Sequence, residues 1–250
     1  MEETTPKVTE ILGVRISCMD MQGLMDLVHR WAKGAKPETI YYVNAHCMNL
    51  ASQDPVYAEA LNSADLVYAD GISIVWASKL LRGCSLEKMT GADWIDEFCA
   101  MAERERLRMY ILAGDAGVAE RASLSLIKRF PGLTIVGTTS GYINSGNEQD
   151  VLQAINAATP HVLFVGMGTS LQERWIHNNR ELISAPVCWA VGALFDYVAG
   201  EETRAPNWVN KAGLEWLWRL MVDPKGKWKR YLLGNPLFMS RVVREWLRKS

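Results

Sequence analysis

Four short apolar runs, Met109–Ala113, Leu133–Gly137, Val162–Val165 and Val187–Val191, recur along the chain with amphipathic segments between them. A strand that is apolar along its whole length has both faces buried, and helices with one apolar stripe each are the usual cover. The pattern predicts an α/β fold with an open, mostly parallel sheet of Rossmann type. Upstream, Ile11–Ile16, Thr39–Val43 and Leu66–Ala69 read as further strands. Helices are expected after Asp20, across Met48–Asn62, over Ile72–Leu81 and over Thr90–Arg106, the last with Thr90 as its cap. Past Gly200 the rhythm stops. This places a boundary between an α/β core, 1–200, and a C-terminal appendage, 201–250, of two or three helices.

The two parts differ in charge. Residues 201–250 carry eleven Lys and Arg against five Asp and Glu, a local +6, whereas the other 200 residues carry 16 basic and 23 acidic side chains, or −7. Five of the ten tryptophans (Trp208, Trp216, Trp218, Trp228, Trp246) fall in the same last fifth. Trp and Leu interleaved with Lys and Arg at helical spacing fit a segment lying on an anionic membrane surface; they fit equally a helical cap with a solvated basic face. With 49% hydrophobic and 22% charged residues, the chain is too apolar for disorder. No uncharged run approaches the roughly 20 residues of a membrane span, and the start MEETTPKVTE lacks the pattern of a secretory signal. Nucleic acid is not an expected partner, because the chain as a whole is not basic and carries no RNA or DNA motif. The five cysteines (Cys18, Cys47, Cys84, Cys99, Cys188) are odd in number and free of CxxC spacing. They predict neither a zinc site nor a disulfide framework, and they point to a reducing, cytoplasmic compartment.

In open parallel sheets, ligands sit beyond the carboxyl ends of the strands. The residues with that address are Asn44, Asp70, Gly114-Asp115, the Gly166–Thr169 loop with Gln172, and Asp196. Gly166, Gly168 and Thr169 belong to a strand–turn–helix in which backbone N–H groups and a helix N-terminus can face a phosphate. The same spacing also serves a tight turn without a ligand. A dinucleotide fingerprint needs a third glycine where Leu171 stands. Asp70, between a strand and Gly71, is placed to take a proton from a hydroxyl nucleophile, or to make an ordinary Asp-Gly turn. His46 and Cys47 adjoin each other, and His29, His161 and His177 are scattered; none has metal-ligand spacing, so structural or surface roles are expected for the histidines. There is no Asp-x-Asp pair. No metal or cofactor is therefore expected, and any phosphate is assigned to Lys, Arg and backbone N–H groups.

Several segments occur together in one order: Asn44-Ala-His-Cys-Met, Ala64-Asp-Leu-Val-Tyr-Ala-Asp-Gly-Ile, Thr90-Gly-Ala-Asp, Gly166-x-Gly-x-x-x-Gln-Glu-Arg-Trp-Ile, Gly192-Ala-Leu-Phe-Asp-Tyr, Arg204-Ala-Pro and Gly213-Leu-Glu-Trp-Leu-Trp-Arg-Leu. From about Ile11 to the last thirty residues the chain resembles the WecG/TagA/CpsF glycosyltransferases, family 26. The resemblance implies an inverting, metal-independent transfer of a sugar such as N-acetylmannosamine. The donor is a UDP-sugar and the acceptor a polyprenyl-diphosphate-linked saccharide, at the cytoplasmic face of the membrane. It implies Asp70 as the base, Asn44 and Gln172 in the pocket, Asp196 at the nucleotide, and basic residues supplied by the appendage. Tyr42 stands where the family commonly has Thr, Lys88 near where it has Arg, and Ser170 and Leu171 where it has Pro and Lys.

The mechanism this implies is a single displacement, with Asp70 deprotonating the acceptor hydroxyl as UDP leaves. Charge on the leaving diphosphate is expected to meet the Gly166–Thr169 loop and cations among Lys88, Arg204, Arg219, Lys229 and Arg230. Arg219 lies within the matched GLEWLWRL segment. A nicotinamide-dependent oxidoreductase on the same sheet and a non-catalytic membrane adaptor remain as rival readings, and a homo-oligomer is left open.

Overall fold

The computed structural model describes residues 6–201, 205, 206, 209 and 214–249. It opens with a hairpin, β1 (Val8–Ile11) and β2 (Val14–Ser17), where the sequence predicts one strand, Ile11–Ile16. The reversal falls on Leu12 and Gly13, both at positive φ (49° and 80°), the conformation of a two-residue hairpin turn. Leucine is a poor signal for such a turn. Its backbone N–H donates to Glu245 at 2.9 Å, a partner 233 residues away.

α1 (Met21–Ala32) starts at Asp20, whose carboxylate accepts from Gly23 N–H at 2.8 Å. The main sheet then begins with β3 (Glu38–Val43), buried throughout. The single helix expected across Met48–Asn62 is two, α2 (Ala45–Ala51) and α3 (Pro55–Asn62). Asp54 caps the second through Tyr57 N–H, and Pro55 occupies its first position, where a missing N–H costs nothing. β4 (Leu66–Ala69) runs into α4 (Ile72–Leu80), and a loop leads to α5 (Gly91–Glu105). Regular alternation follows: β5 (Arg108–Ala113), α6 (Val118–Arg129), β6 (Thr134–Thr139), α7 (Glu148–Ala158), β7 (Val162–Gly166), α8 (Leu171–Asn179), β8 (Val187–Ala190) and α9 (Leu194–Ala199).

The six strands β3–β8 are all parallel, in the order β4-β3-β8-β7-β5-β6. This is the Rossmann-like open sheet that the apolar runs predict. The chain moves outward from β3 to β4, crosses to β5 and β6, and returns through β7 to β8 beside β3. The order thus reverses between β3 and β8, the kind of point at which these folds open a crevice. Packing under α5 is aromatic: Trp94 stacks on Trp189 with ring centroids 4.0 Å apart, and Phe98 meets Phe164 edge-on at 5.1 Å. Such ring pairs add about 1 kcal/mol each beyond area burial.

Beyond the sheet come α10 (Glu215–Val222), α11 (Pro224–Trp228), a π-helical turn (Lys229–Leu233) and α12 (Gly234–Lys249). α12 docks on α2 and α4 and buries Phe238 and Val242 completely. Asn49 clamps it at two points, donating to Gly234 C=O at 2.7 Å and accepting from Arg241 at 2.5 Å. Among the described residues no helix is long and apolar enough to cross a membrane.

The cysteines depart from expectation. Cys18, after β2, and Cys84, in the α4–α5 loop, form a disulfide with Cα atoms 6.0 Å apart. They lie 66 residues apart, and only the fold brings them together. Cys47, Cys99 and Cys188 are buried and free.

Candidate active site

β3 and β4 lie side by side in register, Val43 opposite Ala69, so the residues that follow them emerge together. Asn44 is the N-cap of α2, its Oδ1 accepting from His46 and Cys47 N–H at 3.0 and 3.2 Å. With the oxygen so engaged, the amide nitrogen has to point the other way, and it donates to Asp70 Oδ2 at 3.1 Å. Asp70 is itself anchored through its N–H to Val43 C=O. A cap and a strand pair therefore aim one carboxylate with no freedom left to Asn44. Burial pushes the Asp70 carboxyl above its ordinary value, against the opposing pull of Arg219 and the Asn44 hydrogen bond. A carboxylate raised in this way is a better proton acceptor than an exposed one.

Asp70 and Asn44 line a cleft of about 490 Å³. Its floor is the β3 and β4 ends with the start of α4; its far wall is α10, the π-helical turn and the start of α12. Lys88, Arg219 and Arg230 all face into it, two of them from the appendage. Arg219 pairs with Glu215 at 2.5 Å and lies over the Tyr197 ring, 5.1 Å from its centroid. Among the described residues its buried Nε has no hydrogen-bond partner, so one donor of the fork stays uncommitted. Lys88 is 3.7 Å from Asp93, whose carboxylate also accepts from the Thr90 N–H and hydroxyl at the start of α5. Two acids, Asp70 and Glu215, and three cations thus share a concave site, with Glu215 4.0 Å from Lys88 as well as paired with Arg219.

The remaining predicted residues lie elsewhere. Gln172 is fully buried at the β7–β8 ends, its Oε1 accepting from Gly192 N–H at 2.9 Å and its Nε2 donating to Glu173 at 2.8 Å. Tyr42 is buried beside it, in hydrogen-bond contact with Thr169, and burial pushes its phenol well up. Gly166 closes a space rather than opening one: a Cβ there would lie 2.5 Å from Gly192 C=O. Gly192, at φ +58°, would likewise drive a Cβ into the Tyr42 hydroxyl. Gly168, at φ +86°, sits exposed at the loop tip next to Thr169. Asp196 is on α9 and outside the cleft lining, Lys229 is exposed with its ammonium over Trp228, and Arg204 lies outside the described residues.

The loop before α8 also bears on the nicotinamide reading. Ser170 N–H, an amide of the sort a Rossmann loop offers to pyrophosphate, is taken by the Glu173 carboxylate at 2.8 Å. That buried carboxylate occupies the positive end of α8 and is itself pushed up to about 7 by burial.

Three lining residues escape a reading of the sequence. His46, expected to be structural, faces the cleft; burial lowers it to about 4 with a further push from Arg230, so it is neutral at pH 7. Its neighbour Cys47 is buried, with a thiol pushed up to about 12 by burial, so it stays protonated beside His46. Trp76 and Glu215 also line the site. The position of Trp76 five residues into α4 was the available signal for it; for Glu215 the signal was its place in the matched GLEWLWRL segment, four residues before Arg219.

The sequence pattern of the glycosyl transferase WecG/TagA/CpsF family matches residues 9–250. The N-acetylglucosaminyldiphosphoundecaprenol N-acetyl-beta-D-mannosaminyltransferase of Bacillus subtilis (strain 168) is 30% identical over 208 residues, 83% of this chain and 80% of that protein. The enzyme of the same name from Staphylococcus aureus (strain NCTC 8325) is 28% identical over 247 residues, 97% and 95% of the two chains. A match spanning sheet, cleft and appendage together means that the chain belongs to the WecG/TagA/CpsF glycosyltransferase family.

Proposed function

We propose that the protein transfers an N-acetylmannosamine-type sugar from a UDP-sugar to a polyprenyl-diphosphate-linked N-acetylglucosamine, with inversion and without a metal. The observation that carries this reading is the Asp70 carboxylate, oriented by Asn44 in a cleft that also holds Lys88, Arg219 and Arg230. In one displacement an acceptor hydroxyl oxygen bonds to the anomeric carbon, its proton passes to Asp70, and the bond from that carbon to the UDP oxygen breaks. Three cations in a partly enclosed site stabilise the departing diphosphate without reorganising, which is where an enzyme gains most. Among the described residues no three His, Cys, Asp or Glu side chains gather as metal ligands. Gln172 positions the Gly192 turn beside the site, and Asp196 remains the candidate for the nucleotide. Neutral His46 is available as a hydrogen-bonding wall.

The membrane is the proposed place of work. Met221, Val222, Trp228, Leu233 and Leu237 are exposed on the appendage, among Lys225, Lys227 and Lys229. Apolar side chains interspersed with cations suit the interface of an anionic bilayer.

The test is transfer to a lipid-linked N-acetylglucosamine diphosphate from a panel of UDP- and other nucleotide-sugars, repeated in excess EDTA and after Mg²⁺ is restored. Transfer from a UDP-N-acetylhexosamine, unaltered by chelation, is expected. Exclusive use of another donor nucleotide, or activity lost to EDTA and recovered with Mg²⁺, defeats the corresponding part of the proposal.

A further inference from the structure

The cleft is not polar throughout. Its lining also includes Ile72 and Trp76 from α4, and Trp216, Leu232, Pro236 and Met239 from the appendage. Trp76 is 55% exposed and Leu232 53%, although α4 buries Ile74, Ala77 and Ser78 on its other side. A large apolar surface left open beside a charged site is costly in water, and marks a place where something apolar binds.

We propose that this wall is a subsite for the hydrocarbon of the acceptor, holding its first isoprene units next to the diphosphate. The inference rests on the function proposed above and extends it: the enzyme reads the lipid of its acceptor directly, and does not merely meet it in a bilayer. The cleft brings together a carboxylate, a set of cations and an apolar wall. An amphiphile carrying a hydroxyl, a diphosphate and a hydrocarbon uses all three. A nucleotide-sugar uses the first two, and its one flat apolar group, the base, calls for an aromatic face. Here, beside the aromatic rings of Trp76, Trp216 and Tyr231, the lining offers Ile72, Leu232, Pro236 and Met239, aliphatic or thioether side chains that suit a branched chain. The wall is also composite, one half from the core and the other from the appendage, so a chain lying between them contacts both.

The experiment uses the full-length protein without membrane or detergent. Two soluble acceptors carry the same N-acetylglucosamine diphosphate, one on a butyl and the other on a farnesyl chain. The intact enzyme is expected to favour the farnesyl acceptor in kcat/KM by at least about tenfold, the effect of burying two or more methylene-sized groups. Trp76→Ala combined with Leu232→Ser, at two positions already exposed, reduces that preference about tenfold, and the KM for the UDP-sugar stays as it was. Leu124→Ser, on the exposed face of α6, leaves the preference intact. Farnesyl diphosphate alone, titrated calorimetrically, should bind the intact protein more tightly than the double variant. Equal use of both acceptors by the intact enzyme overturns the subsite and leaves the proposed reaction standing. A double variant whose defect is in KM for the UDP-sugar also overturns it, assigning the wall to the base of the donor. Transfer to neither acceptor, from any UDP-sugar, overturns the function on which the inference rests.

Discussion

At the scale of single residues, the site depends on a carboxylate that the fold would rather see neutral. Replacing Asp70 with Asn keeps its size and can still accept from Asn44, but removes the base. The expected loss in kcat is about 10²-fold or more, with the KM for the donor little changed, read by steady-state kinetics on purified protein. The same variant should melt at a higher temperature near neutral pH. The folded-state value of Asp70 is raised, so its favourable contribution is complete below the unfolded value and disappears as pH rises through the folded one. Glu173 obeys the same sign. It is raised from 4.5 to about 7 by burial, so stability should decline between those values as pH increases. Glu173→Gln is expected to flatten the dependence of Tm on pH across that window, and an unchanged slope would show that the carboxyl is not titrating there.

At the scale of elements, the loop between α4 and α5 carries Lys88 and Thr90 to the cleft and has no regular structure to hold it. It is held instead by point contacts: the Ser78 hydroxyl donates to Cys84 C=O at 2.7 Å, Met89 N–H to Ala69 C=O at 2.8 Å and Met21 N–H to Glu87 at 3.1 Å, Leu86 and Met89 are buried, and Cys84 is bonded to Cys18. That bond joins residues 66 apart, and closing so long a loop restricts the unfolded chain by about 4 kcal/mol in the entropic account. Dithiothreitol should therefore lower Tm by several degrees in the parent protein and by nothing in a Cys18→Ser, Cys84→Ser double variant. Thiol counting before reduction should find three free cysteines; five would mean that the bridge does not form in solution.

At the scale of the whole molecule, the appendage joins two surfaces. α12 is locked to the core through Phe238, Val242 and the Asn49 clamp, whereas α11 and the π-helical turn present cations and apolar side chains outward. Changing Lys225, Lys227 and Lys229 together to Gln should weaken binding to anionic vesicles about 10²-fold, at about 1 kcal/mol per charge. Sedimentation with phosphatidylglycerol vesicles measures this, and added salt should erase much of the difference. Binding that survives both changes would assign attachment to burial of the apolar side chains alone.

Much of the architecture could be read from the order of residues. Continuous apolar strands require cover on both faces, and the Asp20 and Thr90 caps act within a few residues of themselves, so local sequence carries their signal; the Asp54-Pro55 break is equally local, yet the helix expected over Met48–Asn62 runs through it. Asn44 and Asp70 were legible for a related reason: both directly follow strands, and a parallel sheet puts all such residues at one end. The Leu12-Gly13 turn, the Cys18–Cys84 bond and the wall formed by Trp76 with Leu232 were not legible. Each depends on groups dozens or hundreds of residues apart, and a pairing across such distances has no periodicity to betray it. Arg219 was legible as a candidate cation, from its place in the GLEWLWRL segment. Its sequence showed a cation in an amphipathic helix; only the docking of α12 onto α2 and α4 turns that helix toward Asp70, because the apolar burial that decides the docking is shared between segments that are not neighbours in the chain.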